Sequence, residues 1–452
     1  MIDLHELLLR ELGPEVVSRD PELVRACSRD ESEQAPSVPD AVVAPVDPLQ
    51  IELLLRLAAE RRFFVTPRGA GTGKSGGSVP VQGGVVLTLH RMDHVLELDA
   101  ENLLAVVEPG ATCERLQAAA LEAGVFYPPD PASLATCSLG GNVAENAGGP
   151  RAFRYGVTRE YVLGMEVVRM GGERFDVGHR PVKGVSGYDL TALLTGSEGT
   201  LAVFTKLIFK LVPQPDDPGL LVLYFPSVHD AVRAVTVLVQ KRFFPMTLEL
   251  LDRPSLDAAR TDDFTPPGTA GGALLCELEG LAGDEAIGQS VLDCLAAANC
   301  SPEGFELRTR ERDAAVAWEA RREVSRRLKE RWAHKISEDV AVPRALLPEL
   351  VLGVQEIAAD LGLGSACYGH AGDGNLHVNF LTDGAPTAFP LAVERLFRIT
   401  LLLGGTLSGE HGIGTLKRRF LPAEHAPAAL GMFRAIKQAW DPLGLLNPGK
   451  VL

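Results

Sequence analysis

Three of the ten histidines fall within 42 residues, His370 and His377 in GHAGDGNLHVNF and His411 in SGEHGIG, where glycines replace any sustained helical or alternating pattern. Two imidazoles joined by the Glu410 carboxylate form a ligand set suited to zinc, manganese or iron(II), with positions left open for substrate. A spacing of seven would put His370 and His377 on opposite faces of one extended strand. Gly372-Asp373-Gly374 can supply a turn or bulge that swings them together. An isolated histidine in such a loop is more often a hydrogen-bonded core residue; three of them with a glutamate favour a site.

A second chemical signal lies at Pro67–Pro80, PRGAGTGKSGGSVP. A nucleotide-hydrolysing P-loop needs glycine six residues before its Gly-Lys-Ser lysine so that the backbone can curl round a phosphate. Arg68 stands there and excludes that reading. Gly71, Gly73 and Gly76 match G-x-G-x-x-G, but that motif binds a dinucleotide only when a helix starts at its glycines, and Gly77-Ser78-Val79-Pro80 prevents one. The remaining functional reading is a long loop whose backbone N–H groups form an anion nest for a pyrophosphate. A plain glycine-rich hairpin is the bland alternative, and it would be an equally good reading if the loop stood alone.

Two further runs accompany it: residues 129–156, PDPASLATCSLGGNVAENAGGPRAFRYG, and Gly196-Ser197-Glu198-Gly199-Thr200-Leu201. Together the three resemble the FAD domain of the vanillyl-alcohol oxidase and p-cresol methylhydroxylase superfamily, in which RGxGT, IGGNxxxNAGG and GSEGTL recur in this order. The resemblance runs from about residue 41 to 215 and resumes through the C-terminal half, where it is to the branch of glycolate oxidase catalytic subunits, D-lactate dehydrogenases and D-2-hydroxyglutarate dehydrogenases.

That resemblance implies an α+β fold: a two-subdomain FAD-binding domain over residues 1–215 (core 41–215), an α+β substrate or cap domain over 216–410, and a C-terminal segment, 411–452, returning to complete the flavin site. It places the pyrophosphate on Pro67, Arg68, Gly69, Ala70, Gly71 and Thr72, with Gly73, Gly77 and Ser78. Pro129, Asp130, Ser133, Thr136, Gly140, Gly141, Asn142, Ala144 and Asn146 would line the adenosine and isoalloxazine, and Gly156, Glu198 and Val203 would complete the site. No histidine lies between His94 and His179 to tether the flavin, so non-covalent FAD is expected, with Cys113 and Cys137 as the alternative anchors.

In the second half the resemblance makes His370, His377 and Glu410 the ligands of a divalent metal, His411 the base, and puts Asn379 within reach of substrate. Oxidation of an alcohol by flavin removes a hydride from carbon and a proton from oxygen, so a cation that acidifies the hydroxyl and an imidazole that takes its proton fit together. A substrate carboxylate also calls for an arginine fork. Arg321 in Trp318-Glu319-Ala320-Arg321 matches the family's W-x-x-R, although Arg310–Arg331 is dense in charge and such arginines are commonly solvated. Lys335 lies four residues before Asp339, two more than in the family pattern. The expected activity is oxidation of a small 2-hydroxy acid, of the glycolate or D-lactate type, to the 2-oxo acid. A non-catalytic FAD-binding subunit of an oxidase complex is the competing reading, and the intact histidine set argues against it.

The whole chain must position these groups. At 452 residues it has room for two or three domains, with 46% hydrophobic and 23% charged residues. A net charge of −15 opposes binding to nucleic acid. No stretch reaches the ~18 apolar residues of a membrane span, and Asp3, His5 and Glu6 interrupt any signal peptide. The expectation is a cytoplasmic protein, or one peripheral to the inner membrane. Seven scattered cysteines without C-x-x-C argue against an iron–sulfur cluster on this chain. Electrons must then leave to an acceptor such as an iron–sulfur subunit, a cytochrome or a quinone; a homodimer stays open. Residues 41–44, 63–66, 85–89, 95–98 and 103–107 read as strands, Asp47-Pro48 starts a helix, and Cys113–Ala123 forms another that Gly124 ends. Pro213–Pro218 reads as a linker, Thr309–Trp332 as one long charged helix, and the segment from Pro422 as helical up to Asp441-Pro442.

Overall fold

Asp47 caps the helix Pro48–Arg61, its carboxylate accepting the N–H groups of Leu49 at 2.8 Å and Gln50 at 3.1 Å. Pro48 at the first position, with φ already helical and no N–H to lose, completes the start. The apolar stripe Ile51, Leu54, Leu55 and Leu57 is buried. It belongs to a core with Val65, Val85 and Leu87, which come from a four-stranded sheet in the order Val17–Ser18, Ala41–Val43, Val85–Thr88, Val65–Arg68, the last three parallel. A second, five-stranded antiparallel sheet follows in the order Val95–Asp99, Leu104–Val107, Ala202–Lys210, Val162–Arg169, Arg174–Gly178. The structure, a computed structural model, describes residues 3–452.

These sheets lie in the first of two compact units, formed among the described residues by 3–148, 157–214 and 410–452; residues 149–156 and 215–409 form the second. The division at Gln214/Pro215 falls inside the proline-rich stretch. In the first unit the late segment is woven back into the parallel sheet: Val65 N–H donates to Leu445 O at 2.9 Å and Asn447 N–H to Val65 O at 2.8 Å.

The second unit is built on a seven-stranded antiparallel sheet, Gly304–Arg308, Gly219–Phe225, Gly272–Leu278, Thr247–Asp252, Gly364–His370, Asn375–Thr382, His334–Ala341. The helices Arg253–Ala259, Glu311–Arg322 and Val324–Arg331 bury Leu256, Ala317, Ala320, Val324 and Leu328 against Leu251, Ala366, Tyr368 and Leu381 on one face. The expected single helix Thr309–Trp332 is thus two, interrupted at Glu323, whose N–H still reaches Glu319 O at 3.1 Å. The C-terminal helix is likewise divided, into Leu421–Glu424 and Pro427–Trp440. Pro427 excludes the helical conformation from Ala426, which is extended at φ −59°, ψ 148°. Among the described residues no helix is long and apolar enough to cross a membrane.

Candidate active site

In the first unit the three glycine-rich runs meet backbone to backbone. The strand Val65–Arg68 delivers Pro67 and Arg68, and the loop Gly69–Ser78 follows. Gly69 stands so close to the second run that a Cβ there would strike Ser138 Oγ and lie 3.4 Å from Gly141. Gly199 of the third run would put its Cβ 3.5 Å from the Pro67 ring. The second run is not all loop. Leu139–Glu145 is a helix capped by Ser138, whose Oγ accepts from Gly141 N–H at 3.2 Å, and it ends at Asn146 in the left-handed conformation, φ 58°. Gly140, Gly141, Asn142 and Ala144 lie on it, with Gly140 packed against Pro109. The Asn146 side chain accepts from Arg159 N–H at 2.9 Å.

Arg68 is used inside the loop. Its guanidinium donates to Arg29 O at 2.7 Å, Ala26 O at 3.0 Å and Ser78 Oγ at 3.2 Å. It lies directly under Gly71, whose φ of +77° suits glycine alone. Among the described residues the N–H groups of Gly69, Ala70, Gly71 and Thr72 donate to no protein acceptor. The space a Cβ of Gly73 would enter is open for 4 Å. Ser75 Oγ and Ser197 Oγ are buried without a hydrogen-bond partner. A backbone cradle with unanswered donors, open space above it and orphaned buried hydroxyls is what an anionic dinucleotide would satisfy. These residues fit FAD.

Thr136 and Ser133 close a turn, Thr136 N–H to Ser133 O at 2.8 Å, beyond Pro129 and Asp130. Cys113 and Cys137 are both buried, with Cys113 Sγ donating to Pro129 O at 3.3 Å. Val203 is a buried strand residue. Gly156 falls in the second unit and ends the short helix Ala152–Tyr155. Glu198 accepts from Ile413 N–H at 2.8 Å and Gly414 N–H at 2.7 Å. Burial pushes its carboxyl, and that of Glu145, above the ordinary range; the Glu198 charge raises Glu145 further. Both carboxyls face Gly412, φ +79°, directly after His411. Glu410 lies against Gly148, its Oε2 3.0 Å from where a Cβ would stand, and its Oε1 is 3.9 Å from His411 Nε2. Asn447 and Lys450 clamp the loop from the C-terminal side. Asn447 Nδ2 donates to Gly77 O at 3.0 Å and Glu198 O at 2.7 Å, and Lys450 Nζ to Val79 O at 2.7 Å.

In the second unit, His370 ends one strand, 371–374 turn, and His377 lies in the next. The hairpin pairs Tyr368 with His377, and the neighbouring strand pairs Glu249 with His370. In an antiparallel ladder paired residues share a face, so the turn at Gly372-Asp373-Gly374 brings both imidazoles to one side despite the odd spacing. Their rings stand edge to face, centroids 5.3 Å apart, with a nitrogen of each within 4.8 Å of the other. The same face carries the fully buried Glu249. Its Oε1 accepts from His370 Nδ1 at 2.5 Å, and its Oε2 from Arg321 Nε at 2.8 Å and Nη2 at 2.7 Å. Burial alone would raise this carboxyl, but the charges of His370 and Arg321 outweigh it and hold it at about 2. The Arg321 guanidinium also stacks over Tyr368 at 4.8 Å.

Asn379 is fully buried on this face, its amide donating to Ala366 O at 3.1 Å and His377 O at 3.2 Å, which braces the hairpin. Lys335 Nζ donates to Ser325 Oγ at 2.7 Å and ties its strand to the helix Val324–Arg331. Asp339, also fully buried, accepts from Asn375 Nδ2 at 2.6 Å and Ser408 Oγ at 3.2 Å, anchoring the segment that ends at Gly409. Glu249, Tyr368, Glu145 and Asn447 were not singled out in the sequence as site residues. Glu249 had a signal, an acid flanked by leucines inside the buried strand TLELLD. Two imidazoles, one with its second nitrogen already held by a carboxylate, are a donor set fit for a divalent metal.

Comparison with known proteins agrees with this geometry. The FAD binding domain family matches residues 39–178, and the FAD linked oxidases, C-terminal domain family matches residues 215–451. The chain is 36% identical over 456 residues to glycolate oxidase subunit GlcD of Bacillus subtilis, covering 99% of this chain and 96% of that protein. It is 36% identical over 420 residues to a D-lactate dehydrogenase of Archaeoglobus fulgidus, covering 91% of each. Its fold superposes on substrate-bound p-cresol methylhydroxylase with a TM-score of 0.81 at 18% identity, over 99% of this chain and 96% of the other. With a loop cradle that fits the dinucleotide, both family matches and a fold of the p-cresol methylhydroxylase type, the chain belongs to the FAD-linked oxidases and is an FAD-binding oxidoreductase.

Proposed function

We propose that the protein oxidises a small 2-hydroxy acid of the glycolate or D-lactate type to the corresponding 2-oxo acid and passes the electrons to a separate acceptor: an iron–sulfur subunit, a cytochrome or a quinone. The observation that carries this reading is the shared face of His370, His377 and Arg321, which combines donors for a cation with a guanidinium for a carboxylate. The names of the two relatives, a glycolate oxidase subunit and a D-lactate dehydrogenase, point the same way.

FAD, when bound to the cradle, supplies the two-electron acceptor for the substrate hydride. A divalent metal on His370, His377 and Glu410 would supply Lewis acidity to the substrate hydroxyl. The chain's own part is orientation and proton transfer. Arg321 keeps its Nη1 edge for a carboxylate, since Glu249 takes only Nε and Nη2. His411 receives the hydroxyl proton on an imidazole nitrogen. Glycines 409, 412 and 414 let its segment approach closely, and Gly412 and Gly414 have positive φ. Asn379 and Lys335 support the strands that hold these groups.

Anaerobic mixing of the FAD-loaded protein with a panel of 2-hydroxy acids tests the proposal. The visible band of oxidised flavin should bleach with glycolate or D-lactate and recover with an added acceptor. A flavin that no 2-hydroxy acid reduces overturns it.

A further inference from the structure

Glu249 occupies a position where the fold asks for a hydrocarbon. The strand Thr247–Asp252 is buried at every residue, and Leu248, Leu250 and Leu251 show what its surroundings accept. An ionised carboxylate taken out of water costs several kcal/mol unless paired. Glu249 is paired on both oxygens, with His370 through Oε1 and with Arg321 through Oε2. Its two partners are the imidazole and the guanidinium that the proposed function assigns to the cation and to the substrate carboxylate.

A carboxylate has no proton to give. Because the Arg321 ion pair keeps Glu249 ionised, the 2.5 Å contact has His370 Nδ1–H as donor. That puts the ring proton on Nδ1 and the lone pair on Nε2, and it fixes the ring plane. The same carboxylate fixes the rotation of Arg321 by taking two of its five N–H groups, while Tyr368 supports the guanidinium face.

We propose that Glu249 is a positioning residue that sets the tautomer of His370 so that Nε2 is the cation donor, and locks Arg321 in register with it. This rests on the reading of His370 as a metal ligand given above.

Glu249→Gln separates this role from a structural one, since it keeps the shape of the side chain. Arg321 will draw the amide oxygen, so the amide N–H₂ is left to face His370 Nδ1 and drives the ring proton to Nε2. In the FAD-loaded protein stripped of metal, titration with Mn²⁺ or Zn²⁺ should show affinity lowered ~10–100-fold, the usual cost of losing such a partner, with FAD content unchanged. Nitrogen chemical shifts of labelled histidine, read above the ordinary imidazole pKa of about 6.5, should show His370 as Nδ1–H in the wild type and Nε2–H in the variant. A variant that binds the cation as tightly as wild type overturns the proposal. The wild-type tautomer can be measured even if Glu249→Gln fails to fold, and a wild-type His370 carrying its proton on Nε2 overturns the proposal too. Wild-type protein that takes up neither cation overturns the metal reading instead, which is a separate measurement.

Discussion

Replacing Gly71 with alanine should abolish FAD retention without unfolding the protein. Two costs act together. At φ +77° an L side chain is strained by about 1–2 kcal/mol. The new methyl also falls on the Arg68 guanidinium, which must move and give up at least one of its bonds to Arg29 O, Ala26 O and Ser78 Oγ. A hydrogen bond from a charged group is worth ~1.5–3 kcal/mol. The total, about 2.5–5 kcal/mol, falls on the form of the loop that presents its N–H groups. At ~1.4 kcal/mol per decade this weakens FAD binding about a hundredfold to a few thousandfold. Gly73→Ala is the matched control, because its Cβ would meet no protein atom within 4 Å. It should leave the stability of the apoprotein alone and lower FAD affinity only through contact with the dinucleotide. Quenching titrations of FAD with each apoprotein measure the affinities, and near-ultraviolet circular dichroism checks the fold. A folded Gly71→Ala protein that binds FAD within threefold of wild type refutes the reasoning. So does a Gly73→Ala apoprotein destabilised as much as Gly71→Ala.

His411→Gln should keep its FAD and its metal while flavin reduction by substrate, followed by rapid mixing, slows by the ~10²–10⁴ of a missing general base; an undiminished rate removes His411 from the chemistry. Chelation with dipicolinate should lower activity and leave FAD bound, with elemental analysis of untagged protein finding close to one divalent transition metal per chain beforehand; a fully active metal-free preparation refutes the metal. Asn447→Ala strips donors from two carbonyls, Gly77 O and Glu198 O. It should cost about 2–6 kcal/mol at ~1–3 per orphaned group, seen by calorimetry as a melting midpoint lower by several degrees, and an unchanged midpoint contradicts the clamp.

The parts of the molecule written in local chemistry were legible. The cap at Asp47-Pro48 and its apolar stripe need only neighbours a turn away, and the glycine runs announce themselves because few backbones require so many. The seven-residue spacing of His370 and His377 even called for the turn that is found. What could not be read depends on distant register. Glu249 meets Arg321 across 72 positions and His370 across 121, and only the order of seven strands brings them together. The same holds for Arg68. The resemblance put it among the pyrophosphate residues, and its guanidinium reaches back 42 residues to Ala26 O. The helix Leu139–Glu145 was hidden by its two glycines, poor helix formers on average, and is secured by Ser138 at one end and Asn146 at the other.

The return of residues 410–452 to the first unit also dictates an order of events during synthesis. The glycine loop leaves the ribosome early, but Ser75 O waits for Thr415 N–H and Gly77 O for Asn447 Nδ2, partners translated after all of 215–409. Domains generally fold as they emerge. Here the N-terminal half must persist unfinished while the second unit is made, so flavin capture belongs to the completed chain, and a fragment that stops short of residue 410 should fold in part and stay colourless.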